Sequence, residues 1–256
     1  MKHIHIVGCP RSGTTLMMEL MSACFAHDEC CDHEISIFEP VPQGIDLYIS
    51  KKPTDILHIK HIFEKDPELF VINVVRDPRA VFTSKHHSNR DIYFCNYKIW
   101  KKCDLAAQSF ENHERFLTIR YEDLVDQPDA CQDLIANKFP FLQKKHPFSQ
   151  YHKVAAPPEN ALKAMEGLRP VNSTSLDKWK QHLPRVKEQL QRNPSLTTDL
   201  IRRDYESSTE WEEVLHGAKA QRLPCRYPEQ DSWLKETEKA IRMWWRSKRY
   251  IRQRGL

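Results

Sequence analysis

The stretch HIHIVGCPRSGTTLMMELM, residues 3–21, predicts a β-strand, a tight loop and an α-helix in immediate succession. His3–Val7 contains the β-branched residues of a short strand, Gly8–Thr15 holds two glycines and a proline, and apolar residues recur at helical spacing from Leu16 onward. A loop that leads from a buried strand into a helix directs backbone N–H groups and the positive end of the helix dipole at one point. That point suits a phosphate or a sulfate.

The basic residue of this loop stands in an unusual place. Gly8–Thr15 has the spacing GxxxxGTT of a phosphate-binding loop, but Thr14 occupies the position where nucleotide triphosphatases carry the lysine that reaches the outer phosphates. The cation of the loop is Arg11, which precedes the second glycine and can contact both a terminal anionic group and the bridging oxygen of a breaking bond. A donor other than ATP is therefore favoured, and a phosphotransferase with a substituted lysine is the alternative.

A second informative stretch, VVRDPRAVFTS, spans residues 74–84. Phe70–Val75 has the length and apolar character of a buried parallel strand, and Asp77 and Pro78 predict the start of a helix. Arg76 then lies at the carboxyl end of the strand, where α/β proteins bind ligands, and Ser84 lies about two turns into the helix. The pair can bind a phosphate through a bidentate guanidinium and a hydroxyl, whereas the structural alternative is an arginine paired with Asp77.

The remaining patterns predict an α/β fold. Another short strand is expected at Phe116–Ile119, and helices are expected at residues 91–112 and Asp129–Lys138, with a loop lining a site at residues 25–55. Strands separated by helices indicate a three-layer α/β/α arrangement with a short parallel sheet, here within residues 1–150. From about Pro157 the pattern is helical. We expect one domain over residues 1–256.

Composition limits the class of protein and its ligands. The 256 residues carry a net charge of +4, from 39 basic and 35 acidic residues, which is too mild a balance to predict nucleic-acid binding. No secretory signal and no long apolar run is present, so a soluble, cytoplasmic protein without a transmembrane segment is expected. The eight cysteines form no CxxC pair and are expected to be free thiols. Cys30, Cys31 and His33, together with the pair His58 and His61, could suggest a metal site, but a second well-spaced pair is missing and no metal is predicted.

The end of the chain is strongly basic. Residues 242–254 contain six Arg or Lys and no acid, and a basic terminal helix is expected over about residues 231–256. Ile241, Trp244 and Trp245 lie near one face of that helix. It either binds an anionic partner, such as a polyanionic glycan or a membrane surface, or docks on the protein by its tryptophans.

Four motifs occur in the order found in one family. PRSGTT, residues 10–15, resembles the 5′-phosphosulfate loop of the sulfotransferases that use 3′-phosphoadenosine 5′-phosphosulfate (PAPS), and RDPRAVFTS resembles their 3′-phosphate motif. LTIRYEDLVDQP, residues 117–128, and GLRPVNSTSLDKWKQHLP, residues 167–184, are similar to later segments of the tyrosylprotein branch and its bacterial relatives. The resemblance implies that PAPS, or the product adenosine 3′,5′-bisphosphate, is bound by Pro10, Arg11, Ser12, Gly13, Thr14, Thr15, Arg76, Ser84, Tyr121 and Lys178.

The chain also departs from the family pattern. Ser88 stands where some members have a second arginine, for which Arg90 is a substitute candidate, and the segment between the first helix and the second motif is shorter than in the tyrosylprotein enzymes. The identity of the acceptor is therefore not carried over. It remains a hydroxyl on a carbohydrate, a protein, a lipid or a small molecule.

Sulfuryl transfer requires a base for the acceptor hydroxyl and positive charge at the departing oxygen. Arg11 supplies the charge in this scheme. HEISIFEP, residues 33–40, offers two bases: Glu34 matches the glutamate of the tyrosylprotein-like enzymes and is favoured, whereas Glu39 matches carbohydrate sulfotransferases. A carboxylate base near neutral pH is expected to be buried. Lys60 is a weaker candidate for a second cation on the sulfuryl group.

The predicted function is therefore PAPS-dependent transfer of a sulfuryl group to an acceptor hydroxyl by in-line attack, with no metal required. The alternatives are a phosphotransferase on the same loop and a catalytically silent nucleotide-binding protein that holds a partner with its basic tail.

Overall fold

The computed structural model describes residues 1–86, 89–227 and 233–256. The strands in these ranges are β1 (Lys2–Gly8), β2 (Glu29–Cys30), β3 (Leu47–Lys51), β4 (Leu69–Val75), β5 (Lys85–His86), β6 (Asn89–Tyr93) and β7 (Phe116–Arg120). The α-helices are α1 (Thr14–Cys24), α2 (Lys60–Phe63), α3 (Pro78–Phe82), α4 (Tyr97–Gln108), α5 (Tyr121–Asp126), α6 (Pro128–Lys138), α7 (Tyr151–Val154), α8 (Glu159–Met165), α9 (Leu183–Arg192), α10 (Ser195–Arg202) and α11 (Trp233–Arg254). Short 3₁₀ helices lie at Pro53–Leu57, Phe148–Gln150, Asp177–His182 and Thr209–Leu215.

A parallel five-stranded sheet has the spatial order β2-β3-β1-β4-β7. The central strand β1 pairs with β3 on one side and with β4 on the other, so that Ile6 lies opposite both Lys51 and Ile72. β5 and β6 form a separate antiparallel pair. The carboxyl ends of β1, β3 and β4 therefore meet at one edge of the sheet, where the loop of residues 8–15 follows β1.

Helices cover both faces of the sheet. Ile72 and Val74 of β4 pack into one apolar cluster with residues of α1 and α6, whereas Val71 and Val75 pack into a second cluster with residues of α3 and α4. This alternation is the period-two pattern of a strand that is buried on both sides. It confirms the predicted three-layer α/β/α fold with a short parallel sheet and a helical C-terminal half.

Several local predictions were wrong. Residues 25–55 contain β2 and β3 rather than loop alone. The sequence pattern does not indicate these strands, because they are only two and five residues long and β3 carries the polar Ser50 and Lys51. Helix α4 begins at Tyr97, with Asn96 accepting a hydrogen bond from the Ile99 amide, since the residues before it form β6. Asp77 caps α3 as predicted, but that helix ends at Phe82, so Ser84 lies beyond it.

The eight cysteines are free thiols, as expected. None of the helices in the described parts of the chain combines the length and the apolar character that a membrane span requires.

Candidate functional site

The loop between β1 and α1 depends on glycine at two positions. Gly8 has φ 151°, and a Cβ there would lie 2.4 Å from the Val74 carbonyl oxygen. Gly13 has φ 99°, and a Cβ there would lie 2.2 Å from Cδ2 of Tyr121. Arg11 between them has φ 74°, a left-handed conformation that is uncommon for a residue with a side chain. The loop is thus folded tightly against β4 and the ring of Tyr121.

Two arginines meet at the carboxyl edge of the sheet. Arg11 Nε donates to Ser84 Oγ at 2.8 Å, and the carbonyl oxygen of Arg11 accepts from Arg76 Nη1 at 3.3 Å. Burial, together with the neighbouring Arg76 charge, lowers the pKa of the Arg11 guanidinium. The hydrogen bonds that both guanidinium groups donate within the described residues end on neutral oxygens. Two adjacent cations that are bonded in this way are suited to an anion, because neither charge is neutralised by these contacts.

Tyr121 joins this site to the C-terminal half. The Arg76 guanidinium lies 4.2 Å from the centre of the Tyr121 ring, and Arg76 Nη2 donates to the Ser175 carbonyl oxygen at 3.1 Å. The Tyr121 hydroxyl lies 3.0 Å from Ser175 Oγ. Arg76 Nε is buried and has no hydrogen-bond partner among the residues that the structure describes. The fold therefore holds Arg76 in place while leaving one of its donors available to a ligand.

A cavity of about 550 Å³ brings most of the predicted site residues together, which is a volume typical of ligand pockets. Its lining includes Glu34 and nine of the ten cofactor-binding candidates: Pro10, Arg11, Gly13, Thr14, Thr15, Arg76, Ser84, Tyr121 and Lys178. Ser12 is the exception. Its side chain is fully buried, with Oγ close to Gly8 and without a hydrogen-bond partner in the described residues.

Lys51 is a residue of the candidate site that the sequence pattern does not predict. It ends β3, is 1% exposed, and places Nζ 3.1 Å from Glu34 Oε1 and 3.2 Å from Thr15 Oγ1. The signal for this lysine is its position at the end of β3, which lies at the carboxyl edge of the sheet. The sequence pattern predicts a loop instead of β3, so it does not indicate Lys51. The structure thus has a buried cation between the phosphate-binding loop and Glu34.

The Glu34 side chain is more accessible than expected. It lines the cavity and pairs with Lys51, but 38% of the side chain is exposed rather than buried. Its position depends on the backbone that follows, because the Asp55 carboxylate accepts from the Ile37 amide at 2.7 Å and from Ser36 Oγ at 3.1 Å. Burial by itself would raise the pKa of Asp55, but hydrogen bonds from His5 and the Ile37 amide lower it.

Two other candidates lie outside this arrangement. Glu39 is not among the cavity-lining residues and pairs with Arg246 of α11 at 2.5 Å. Lys60 is exposed at the start of α2 and does not line the cavity either. Ser88 and the side chain of Arg90, named above as a departure from the family pattern, lie outside the described residues.

The far wall of the cavity comes from the C-terminal half. Most residues between Asn160 and Asn172 line it, followed by Ser175, Lys178, Trp179 and His182. Trp179 is 5% exposed and stacks under Arg79 at 4.2 Å, while Arg79 pairs with Asp77 and Glu206. Lys178 is exposed next to this fixed tryptophan. The segment is therefore anchored to α3 while its lysine faces the cavity.

These features define a class: an α/β protein with a glycine-dependent loop after the first strand and a cationic cavity at the carboxyl edge of a parallel sheet. Residues 32–137 match the model of the sulfotransferase family, a range that contains Glu34, Arg76, Ser84 and Tyr121. Over that range, which is less than half of the chain, the protein is similar to the sulfotransferases. The matched range begins after the loop of residues 8–15, so the resemblance of that loop to the 5′-phosphosulfate loop does not depend on this match.

Several solved structures are similar to the chain at low identity. The sulfotransferase domain of the Synechococcus PCC 7002 olefin synthase is 16% identical over 70% of this chain and 87% of that one, with a TM-score of 0.49. A mouse sulfotransferase, SULT7A1, complexed with PAP is 16% identical over 84% and 88%, with a TM-score of 0.49. Retinol dehydratase in a complex with retinol and PAP is 14% identical over 88% and 84%, with a TM-score of 0.40. A comparison with curated proteins gave no significant match.

Proposed function

We propose that this protein is a sulfotransferase that moves the sulfuryl group of PAPS to an acceptor hydroxyl. The observation that carries the proposal is the contact between the two anion-binding motifs, in which Arg11 Nε donates to Ser84 Oγ and Arg76 Nη1 donates to the Arg11 carbonyl. PAPS carries two anionic groups on one nucleoside, a 5′-phosphosulfate and a 3′-phosphate. Residues 8–15 would hold the first, and Arg76 with Ser84 would hold the second.

The residues present fit such a nucleotide. Arg76 has a buried donor without a partner in the described residues, and the cavity has room for a nucleotide of this size. Tyr121 and Lys178 would contact the nucleoside from opposite sides. ATP has no 3′-phosphate for Arg76 and Ser84 to bind, and Thr14 replaces the lysine that a triphosphatase would use. These points favour sulfuryl transfer over phosphoryl transfer.

In the proposed mechanism, Glu34 Oε1 accepts the proton of the acceptor hydroxyl. The acceptor oxygen then forms a bond to sulfur as the bond between sulfur and the bridging phosphate oxygen breaks, and the electron pair stays on that oxygen. Arg11, the amides of the loop and the N-terminus of α1 stabilise the negative charge that develops there. The product is adenosine 3′,5′-bisphosphate together with the sulfated acceptor.

Lys51 takes the role that the sequence assigned to Lys60. Its ammonium group lies between Glu34 and Thr15, so it orients the base and brings positive charge to the sulfuryl side of the cavity. Glu34 is the proposed base rather than Glu39, because Glu39 is paired with Arg246 away from the cavity lining. The same proposal takes residues 1–256 as one catalytic domain, since the cavity combines Arg11 with residues as distant in sequence as His182.

Calorimetric titration with adenosine 3′,5′-bisphosphate and with ATP plus magnesium tests the donor. We expect tighter binding of the bisphosphate, and we expect Arg76→Ala to weaken it by a larger factor than it weakens binding of adenosine 5′-phosphate. Tighter binding of ATP would favour the phosphotransferase and contradict the proposal. Labelled PAPS incubated with sugars, phenols, peptides and lipid alcohols would then identify the acceptor.

A further inference from the structure

The outer face of α11 exposes a cluster of large apolar side chains. Ile241 is 56% exposed, Trp244 51% and Trp245 64%, and the two indole rings contact each other edge to face at 4.9 Å. We call Ile241, Trp244 and Trp245 the tryptophan face. Two adjacent indoles in water forgo the free energy that burial would provide, and exposed apolar clusters of this kind mark interaction sites.

The opposite face of α11 is already bound to the protein. Tyr250 is 2% exposed, and its hydroxyl donates to Asp66 Oδ2 at 2.5 Å, while Arg254 Nε donates to the same oxygen at 2.8 Å. Arg246 pairs with Glu39 at 2.5 Å. Ile241 lies opposite Tyr250 because about two and a half helical turns separate the two residues. The tryptophan face therefore cannot turn inward without breaking these contacts.

The charge around the tryptophan face is predominantly positive, although the exposed Glu238 lies three residues before Ile241 on the same side of the helix. Residues 239–256 contain no Asp or Glu. Arg246 and Arg254 are used in the ion pairs with the body, whereas Arg242, Lys248, Arg249 and Arg252 are exposed. The Lys248 ammonium lies 5.4 Å from the centre of the Trp244 ring, so cations and indoles share one surface.

This combination matches one kind of partner. Tryptophan is enriched at the boundary between lipid headgroups and acyl chains, where its ring is buried and its N–H remains hydrated. Lys and Arg around such residues are attracted to anionic headgroups and keep their charges in the interface. A polyanionic glycan would satisfy the cations but would leave Ile241 and both indoles without apolar contacts.

We infer that α11 docks the protein on an anionic phospholipid surface, with the tryptophan face inserted at the interface and the exposed cations on the headgroups. This docking site is distinct from the cavity and does not depend on the proposed sulfuryl transfer. Because Tyr250 and Arg246 hold the helix to the body, the protein would bind as a folded unit rather than through a detached tail.

Co-sedimentation with phosphatidylcholine vesicles, with and without phosphatidylserine, tests the inference on the full chain. We expect binding only to the vesicles that contain phosphatidylserine, a blue shift of the tryptophan fluorescence, and release at high salt. The double substitution Trp244→Ala and Trp245→Ala should weaken binding on the order of tenfold or more, since both indoles lose their apolar environment. Its thermal midpoint should stay near that of the wild type because both side chains are exposed.

A charge variant and a matched control make the test specific. Arg249→Ala with Arg252→Ala should weaken binding by roughly fivefold for each cation removed. Lys219→Ala with Arg222→Ala removes the same charge from an exposed segment elsewhere and should leave binding nearly unchanged. Equal binding to neutral and anionic vesicles, an unaltered affinity in the tryptophan variant, or tryptophan-dependent binding to heparin without vesicle binding would each overturn the inference.

Discussion

Lys51 is a buried cation that connects two parts of the cavity wall. Its ammonium group is removed from water and lies within hydrogen-bond distance of Glu34, in the segment after β2, and of Thr15, in the first turn of α1. A buried charge is tolerated when it is paired in this way. The pair therefore connects the proposed base with the loop that would hold the donor.

Substitution of Lys51 by Met keeps the volume of the side chain and removes its charge. If the proposed mechanism holds, kcat should fall on the order of a hundredfold, because Glu34 loses its positioning partner and the sulfuryl side loses a cation. Steady-state kinetics with PAPS and an acceptor measure this. Lys60→Met on α2 is the matched control and should leave kcat near the wild-type value; equal losses in the two variants would contradict the assignment.

Gly13 permits the close packing of the loop against Tyr121. Gly13→Ala would place Cβ 2.2 Å from Cδ2 at the edge of the Tyr121 ring, and the positive φ adds backbone strain. The free energy of unfolding should therefore fall by about 1–3 kcal/mol. Affinity for adenosine 3′,5′-bisphosphate should fall as Tyr121 is displaced. Urea unfolding and calorimetry measure both effects. Gly217→Ala is the matched control, because Gly217 also has a positive φ but no atom of the described residues within 4 Å of the added Cβ, so only the backbone strain should remain.

At the level of elements, helix α1 contains a buried carboxylic acid. Glu19 lies one turn after Thr15 and is 7% exposed. Burial raises its pKa to about 7, although the charge of Lys51 acts in the opposite direction. A good part of the Glu19 population is therefore protonated near neutral pH, unlike an exposed glutamate.

The pH dependence of stability follows from this group. The folded protein binds the Glu19 proton more tightly than the unfolded chain does, so the stabilisation is complete below about pH 4.5 and is lost as the pH rises through about 7, a difference of up to about 3 kcal/mol. Glu19→Gln should raise the thermal midpoint at pH 8 relative to the wild type and bring the two proteins closer at pH 5. Calorimetric scans at both values test this, with Glu159→Gln on exposed α8 as the control. A gain of the same size at both pH values would exclude Glu19 as the titrating group.

At the level of the whole molecule, the cavity is assembled from both halves of the chain. Arg76 at the end of β4 donates to the Ser175 carbonyl, and Tyr121 lies beside Ser175 Oγ, so the sheet edge and the segment around Lys178 close on each other. On the other side, the backbone around Glu34 continues to Phe38, which packs against Tyr250 of α11 at 6.5 Å. Regions that are far apart in sequence thus define one site.

Binding of adenosine 3′,5′-bisphosphate should therefore protect two separate segments from hydrogen exchange. We expect slower exchange both in residues 9–16 and in residues 167–182, and a gain in the free energy of unfolding of about 2.7 kcal/mol when the ligand is at about one hundred times its Kd. Arg76→Ala should reduce protection in both segments. Protection confined to residues 9–16 would contradict a ligand that spans the cavity.

The motifs with local spacing could be predicted well, and the residues set by long-range pairing could not. The loop after β1, the cap at Asp77 and the strand before Arg76 follow from neighbouring residues, and the structure contains all three. β3 was missed because five residues containing Ser and Lys have no clear alternation, and their burial comes from pairing with β1. Without β3, Lys51 could not be distinguished from Lys60.

The chain by itself determined the strand, loop and helix of residues 3–21, the strand before Arg76 with the cap at Asp77, and the alternation of strands and helices, since each depends on residues close together in sequence. Only the tertiary structure decided that Lys51 contacts Glu34 and Thr15, that Glu39 belongs to the contact with α11, and that Trp244 and Trp245 face outward. The register of β1 with β3 sets the position of Lys51. The docking of Tyr250 and Arg254 on Asp66 sets the contact of Glu39 with α11 and the outward direction of the two tryptophans. These contacts join residues distant in sequence, and local spacing carries no information about them.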